Sequence, residues 1–320
     1  MRKSTIAVII IVSALVSSAV SYFVDAKLLC SESQQDTQLA DMVPMPSDLT
    51  FMGEPVPISN FDTRESLDRE FQVNRLWHSQ TILMIKRAHR YFPVIEPILK
   101  ENGIPDDLKY IAVIESSLTN VVSPSGAKGF WQFLSGTAKD FGLEVNDEVD
   151  ERYNLEKATV AAISYFKQMK EKFGSWTMAA ASYNVGRGNL SKFIGQQKCD
   201  NYYDLILGEE TERYIFRAIA VKQIMEHPEL YGFSIPEDEL YQPIPFTIVK
   251  VDSTIPDMAD FAFANGTNYK MLKMLNPWLR SNKLTNARHK TYDIKIIDPE
   301  FRIVEIDTVS LTEPQDIELN

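Results

Sequence analysis

Residues 108–118 read Leu-Lys-Tyr-Ile-Ala-Val-Ile-Glu-Ser-Ser-Leu and carry a carboxylate where an amphipathic helix carries hydrocarbon. Leu108, Ile111, Ala112 and Glu115 stand at i, i+3, i+4 and i+7, so Glu115 falls on the apolar stripe. A glutamate so placed either has a dedicated partner or keeps its proton to a higher pH than a solvated one. The second outcome suits a general acid working near neutrality. The plainer reading is a glutamate at a helix end that bends out to water.

Three further segments hold groups suited to the same chemistry. Residues 123–133 read Ser-Pro-Ser-Gly-Ala-Lys-Gly-Phe-Trp-Gln-Phe, residues 182–186 Ser-Tyr-Asn-Val-Gly, and residues 212–214 Glu-Arg-Tyr. Gly126 and Gly129 let backbone turn close to a ligand. Trp131 and Phe133 offer apolar faces on which the C–H face of a sugar ring can lie. Gln132 and Asn184 both donate and accept, as an N-acetyl group or a hydroxyl requires. Tyr183 and Tyr214 add rings with a polar tip. Taken singly, each aromatic residue reads equally well as core, and each glycine as a turn.

A glycosidase usually needs a second carboxylate. Asp106 and Asp107 follow Pro105 at a helix start and read as cap and first-turn charges. The acidic run Glu144, Asp147, Glu148, Asp150 and Glu151 remains an open source of a base. His78, His89, His227 and His289, with Cys30 and Cys199, show no metal-ligand spacing, so neither metal nor cofactor is expected. A net charge of -11 argues against a nucleic-acid surface. It leaves a neutral sugar polymer open.

The elements that would position these groups are mainly helical. Length alone suggests roughly two domains for 320 residues. Arg2 and Lys3 precede an apolar stretch over residues 6–24, so residues 1–26 read as an export signal or a membrane anchor. Residues 27–60 read as an acidic, Pro-rich linker. Helical texture runs over 61–77, then to the Tyr91-Phe92-Pro93 break, then over 94–101. Ala-rich helices follow from 156 to 183, and one more spans 210–224, so 61–235 reads as one helical domain. Residues 241–310 change texture to strand, helix, helix, strand, a small α+β module.

These segments resemble the lytic transglycosylases of the soluble-lytic-transglycosylase superfamily, and most of all their membrane-bound D-type branch. The likeness rests on Glu115-Ser116, on Gly129-Phe130-Trp131-Gln132, on Ser182-Tyr183-Asn184-Val185-Gly186 and on the later Tyr214, in that order, and spans about residues 90–232. Ser182 and Val185 stand where the family has alanines. Phe130 and Trp131 replace Leu-Met and imply a wider aromatic wall.

By this resemblance the fold is a goose-type-lysozyme-like α domain. Glu115 is the acid, and Ser116, Gly129, Phe130, Trp131, Gln132, Phe133, Tyr183, Asn184 and Tyr214 bind substrate. The resemblance implies an enzyme exported to the periplasm or cell envelope. It would cut the β-1,4 bond after N-acetylmuramic acid in peptidoglycan glycan strands and leave a 1,6-anhydromuramyl end. A muramidase hydrolase and a non-catalytic wall-binding protein are the alternatives. Residues 241–300 resemble a divergent LysM module, either a glycan binder or a domain that only supports the first.

Overall fold

The structure, a computed structural model, describes residues 43–302. The expected signal or anchor, the first part of the linker, Cys30 and the last residues of the C-terminal module lie outside the described residues. Among the described residues no helix is long and apolar enough to cross a membrane.

The linker expected over 27–60 has structure well before Phe61. Strands β1 (Thr50–Phe51) and β2 (Glu54–Pro55) pair antiparallel. Phe51 is fully buried and Met52 nearly so. Two long-range carboxylate contacts fasten this hairpin. The Met52 N–H donates to Asp107 Oδ2 at 2.7 Å. Glu54 accepts from the backbone N–H groups of Trp176 and Thr177 at 2.6 and 2.9 Å, and from the Thr177 hydroxyl at 2.6 Å. Asp107 also pairs with Lys222 at 3.1 Å, so it is a tie between elements rather than only a helix-start charge.

Helices α1 (Phe61–Leu76) and α2 (His78–Glu101) follow. The break expected at Pro93 does not occur, because Pro93 and Pro97 both lie inside α2. Each proline removes one backbone donor. Ile95 and Leu99, both fully buried, hold the last turns against the core regardless. A 3-10 turn at Asp106–Leu108 leads into α3 (Lys109–Ser116), and α4 (Ser135–Asp140) is a short turn of helix.

The centre of the body is α5 (Leu155–Phe173), α6 (Trp176–Val185) and α8 (Glu209–Glu226), with α7 (Arg187–Gln197) outside. Asn154 caps α5 by accepting from Lys157 N at 3.0 Å, and Ser175 caps α6 by accepting from Met178 N at 3.1 Å. Ala179, Ala180 and Ala181 are fully buried, and such small side chains allow α6 to sit close to α5 and α8. Helix α8 packs on α1 along its length and on α3, which sets the register between a tyrosine of α8 and the carboxylate of α3.

The C-terminal module is β3 (Phe246–Val251), α9 (Met258–Ala264), α10 (Tyr269–Leu275) and β4 (Tyr292–Ile297). Its strands pair antiparallel from Phe246 opposite Ile297 to Val251 opposite Tyr292. The module shares its apolar core with Val149 and Tyr153 of the helical body. Asp150 N donates to the Trp278 carbonyl at 2.9 Å and Arg280 N to that of Glu148 at 2.7 Å. The sequence pattern separates this module as a small domain of its own; here it is stitched to the segment that follows the cleft loop.

Candidate active site

Glu115 occupies the last turn of α3, half-buried at the wall of an open cleft. The chain leaves the helix sharply after it. Ser117 and Leu118 both adopt left-handed backbone, with φ of 52° and 54°, which non-glycine residues rarely do. Leu118 is buried, and Arg87 Nη1 donates to the Ser117 carbonyl at 3.2 Å, so the turn is held from both sides.

The partner of the carboxylate is Tyr214 of α8, whose hydroxyl donates to Glu115 Oε1 at 2.5 Å. Burial raises Glu115 to about 7. The Tyr214 hydrogen bond and the Arg217 charge act the other way, while Glu210 adds to the rise. Tyr214 itself is pushed well above the ordinary phenol range by burial and by the neighbouring carboxylate, so it stays a donor. Near neutral pH Glu115 can therefore exist both as acid and as carboxylate, as a group that gives and then takes a proton requires.

The cleft brings together Glu115, Gln132, Phe133, Tyr183 and Asn184 of the expected residues, and adds Glu210 and Asp140. Tyr183 packs edge-on against Phe133 at 5.7 Å and donates to the Trp131 carbonyl at 2.5 Å. Asn184 is oriented from α8: its Oδ1 accepts from the Thr211 hydroxyl at 2.7 Å and its amide lies 3.4 Å from Glu210 Oε1.

Five expected site residues, Gly129 among them, do not line the cleft. Trp131 is fully buried, with its indole N–H donating to Thr159 Oγ1 at 3.0 Å, so it is core and not a sugar platform. Phe130 turns toward a separate pocket against the C-terminal module and meets Tyr91 edge-on at 4.8 Å. The wider aromatic wall inferred from this pair is absent. The Ser116 hydroxyl is buried between the carbonyls of Phe130 at 2.9 Å and Ala112 at 3.1 Å, where it pins the cleft loop to α3. Tyr214 lies behind Glu115 rather than in the cleft lining.

The cause of this placement is backbone. Gly129 has φ of 79° and Gln132 φ of 48°, and these two turns send Trp131 inward while Gln132 and Phe133 face the cleft. A Cβ on Gly129 would stand 1.9 Å from the Arg152 carbonyl oxygen. Gln132 closes its own turn by donating to the Gly129 and Val121 carbonyls at 2.7 and 3.1 Å.

Residues 92–206 match the family model described as the transglycosylase SLT domain. Over that stretch the chain is similar to an SLT domain. The matched stretch contains Glu115, Gln132, Tyr183 and Asn184 but stops short of α8, which supplies Tyr214 and Glu210. Residues 247–300 match a second model, the soluble lytic transglycosylase C-terminal LysM-like domain. Among curated proteins, the chain is similar to the membrane-bound lytic murein transglycosylase D of Escherichia coli strain K12 and to its counterpart in Escherichia coli O6:H1. Each is 25% identical over 244 residues, covering 73% of this chain and 52% of the relative. The chain thus spans about half the length of the curated relatives it matches.

Arg152, which sequence reading passed over, secures the cleft loop. It reaches back to the carbonyls of Gly126 and Phe133, both at 3.2 Å, while Asp150 holds it at 2.8 and 2.7 Å. In the sequence Arg152 is a single cation at the end of an acidic run, and nothing there marks it as buried. Four of the five acidic residues that left a second carboxylate open are engaged elsewhere. Asp150 serves Arg152, Glu151 pairs with Lys157, Glu144 with Lys290, and Glu148 accepts from Thr285 N. None of the run lines the cleft.

Proposed function

We propose that the protein is a lytic transglycosylase of the cell envelope that cleaves the β-1,4 bond between N-acetylmuramic acid and N-acetylglucosamine in peptidoglycan. The observation that carries this reading is the cleft carboxyl group of Glu115, raised to about 7 and aimed by Tyr214. The SLT match and the names of the relatives support the substrate class and the envelope location.

Protonated Glu115 gives its proton to the glycosidic oxygen, and the bond from that oxygen to C1 breaks. The substrate's own N-acetyl carbonyl stabilises the electron-poor C1. Glu115, now a carboxylate, takes the proton of the C6 hydroxyl as O6 bonds to C1. The product is a 1,6-anhydromuramyl end, with no water consumed. The nucleophile is already part of the substrate, which removes the entropic penalty of capturing a second molecule. Gln132 offers its amide oxygen, its N–H groups being held by the loop, and Asn184 its second N–H to sugar hydroxyl or N-acetyl groups, and the Phe133–Tyr183 pair presents apolar surface.

Hydrolysis is the second reading, because Glu210 lines the same cleft. A muramidase would use it to activate water. Glu210 is exposed and hydrogen-bonded to Asn184, which suits orientation of that amide better. Replacing Glu115→Gln tests the shared premise: release of soluble muropeptides from purified peptidoglycan should be lost with the fold retained. Release at the wild-type rate would remove Glu115 from the chemistry.

A further inference from the structure

Glu70 of α1 is a buried anion that the cleft chemistry does not use. Its side chain is 1% exposed. Oε1 accepts from Arg213 Nε at 2.6 Å. Oε2 has no hydrogen bond, and its nearest cation is Arg217 Nε at 3.9 Å. A buried carboxylate oxygen without a hydrogen bond is costly, and a buried ion pair is weak as a device for stability alone. Its place in the fold suggests what it is for.

Arg213, Tyr214 and Arg217 lie on consecutive turns of α8. Glu210, Tyr214 and Arg217 are spaced i, i+4 and i+7, so one stripe of α8 carries an anion, a hydroxyl donor and a cation. All three act on Glu115. Glu70 approaches this stripe from α1 and touches both arginines that flank Tyr214.

We propose that Glu70 is a positioning residue for the acid: it fixes the turn of α8 from which Tyr214 donates, and it offsets the Arg217 charge that Glu115 would otherwise meet in full. This rests on the reading of Glu115 as the acid. The groups facing Glu115 are Tyr214, Glu210 and Arg217 of α8 and Tyr183 of α6, with Arg87 of α2 on the following carbonyl. Those facing Glu70 are Arg213, Arg217 and Tyr202, with Glu209 reached through Arg213 at 3.8 Å. None of the others can take over the neutralisation of Arg217, because Glu70 is the one carboxylate within salt-bridge distance of it among the described residues.

The pH dependence of kcat/KM on purified peptidoglycan separates this role from a merely structural one, since its alkaline limb reports the acid. Glu70→Gln unmasks Arg217, so the limb should move to lower pH, by about 0.3 to 1 unit. Arg217→Gln should move it to higher pH. In the Arg217→Gln background Glu70→Gln should move the limb little further, and this departure from the sum of the two single shifts is the mark of coupling between the two. A uniform loss of activity in Glu70→Gln with the limb unmoved overturns the proposal. Should Glu70→Gln fail to fold in a melting experiment, Glu70→Asp takes its place: it keeps the carboxylate but shortens its reach to Arg213 and Arg217, so the limb should again move to lower pH, and an unmoved limb overturns the proposal. Activity persisting in Glu115→Gln would be a failure of the proposed function and not of the role of Glu70.

Discussion

The hydroxyl of Tyr214 lies 2.5 Å from Glu115 Oε1, joining residues 99 positions apart in the chain. The bond favours the carboxylate of a group that must first give its proton away, and burial outweighs it. The balance leaves the acid near neutrality with its orientation fixed. Tyr214→Phe removes the opposing bond, so the alkaline limb of kcat/KM should move to higher pH. Loss of orientation should lower the rate at the optimum by about tenfold, the equivalent of one hydrogen bond to a charged group. pH-rate profiles of the two proteins check both effects.

The same carboxyl group links activity to stability. Its ordinary value is 4.5 and its folded value about 7. The folded protein therefore binds this proton more tightly than the unfolded chain. The stability that this gives is fully present below about 4.5 and is lost as pH rises through about 7. Glu115→Gln never ionises at the site. It should be more stable than the wild type above neutrality, by at most on the order of 3 kcal/mol, with the difference shrinking on acidification. Denaturant melts at pH 4.5 and pH 8 measure this.

Gly129 fills a place that no other residue fits. Its φ of 79° opposes a side chain, and a methyl carbon added there would stand 1.9 Å from the Arg152 carbonyl oxygen. Gly129→Ala should destabilise the fold by several kcal/mol, about 3 or more. It should also lower activity in the fraction that folds, because Gln132 takes its place from the same turn. Thermal melting and muropeptide release together show whether the two losses travel together.

Trp131 distinguishes core from sugar platform. Trp131→Phe should lower stability by about 1 to 3 kcal/mol through lost packing and the lost bond to Thr159. It should leave KM for peptidoglycan unchanged, since the indole does not reach the cleft. A raised KM at unchanged stability would place the ring at the substrate.

Glu54 ties the hairpin to the start of α6, the helix that presents Tyr183 and Asn184. Glu54→Ala leaves two backbone N–H groups and the Thr177 hydroxyl without their acceptor. A loss of about 2 kcal/mol is expected in denaturant titration, in the range of charge-assisted hydrogen bonds at a helix start.

Much of the acid's setting was legible because it is local. The i, i+3, i+4, i+7 spacing of Leu108, Ile111, Ala112 and Glu115 places the carboxylate among hydrocarbon whatever the tertiary fold. What escaped was decided by contacts distant in sequence or by backbone turns. The inward course of Trp131 depends on positive φ at Gly129 and Gln132, which the run Gly-Phe-Trp-Gln-Phe does not display. The hairpin over residues 50–55 was hidden by prolines, and Asp107 and Glu54 anchor it across 55 and more than 120 positions. Prolines misled again in α2, where buried Ile95 and Leu99 outweigh the donors that Pro93 and Pro97 lack. Glu70, Glu210 and Arg152 carry no local signal, since each acquires its task from a partner on another element.

Mass analysis of the products tests the central claim most directly. Purified peptidoglycan digested by the full chain should yield muropeptides ending in 1,6-anhydro-N-acetylmuramic acid, each lighter by one water than its hydrolytic counterpart. Products ending in reducing N-acetylmuramic acid would contradict the transglycosylase route and give the cleft, with Glu210, to a hydrolase.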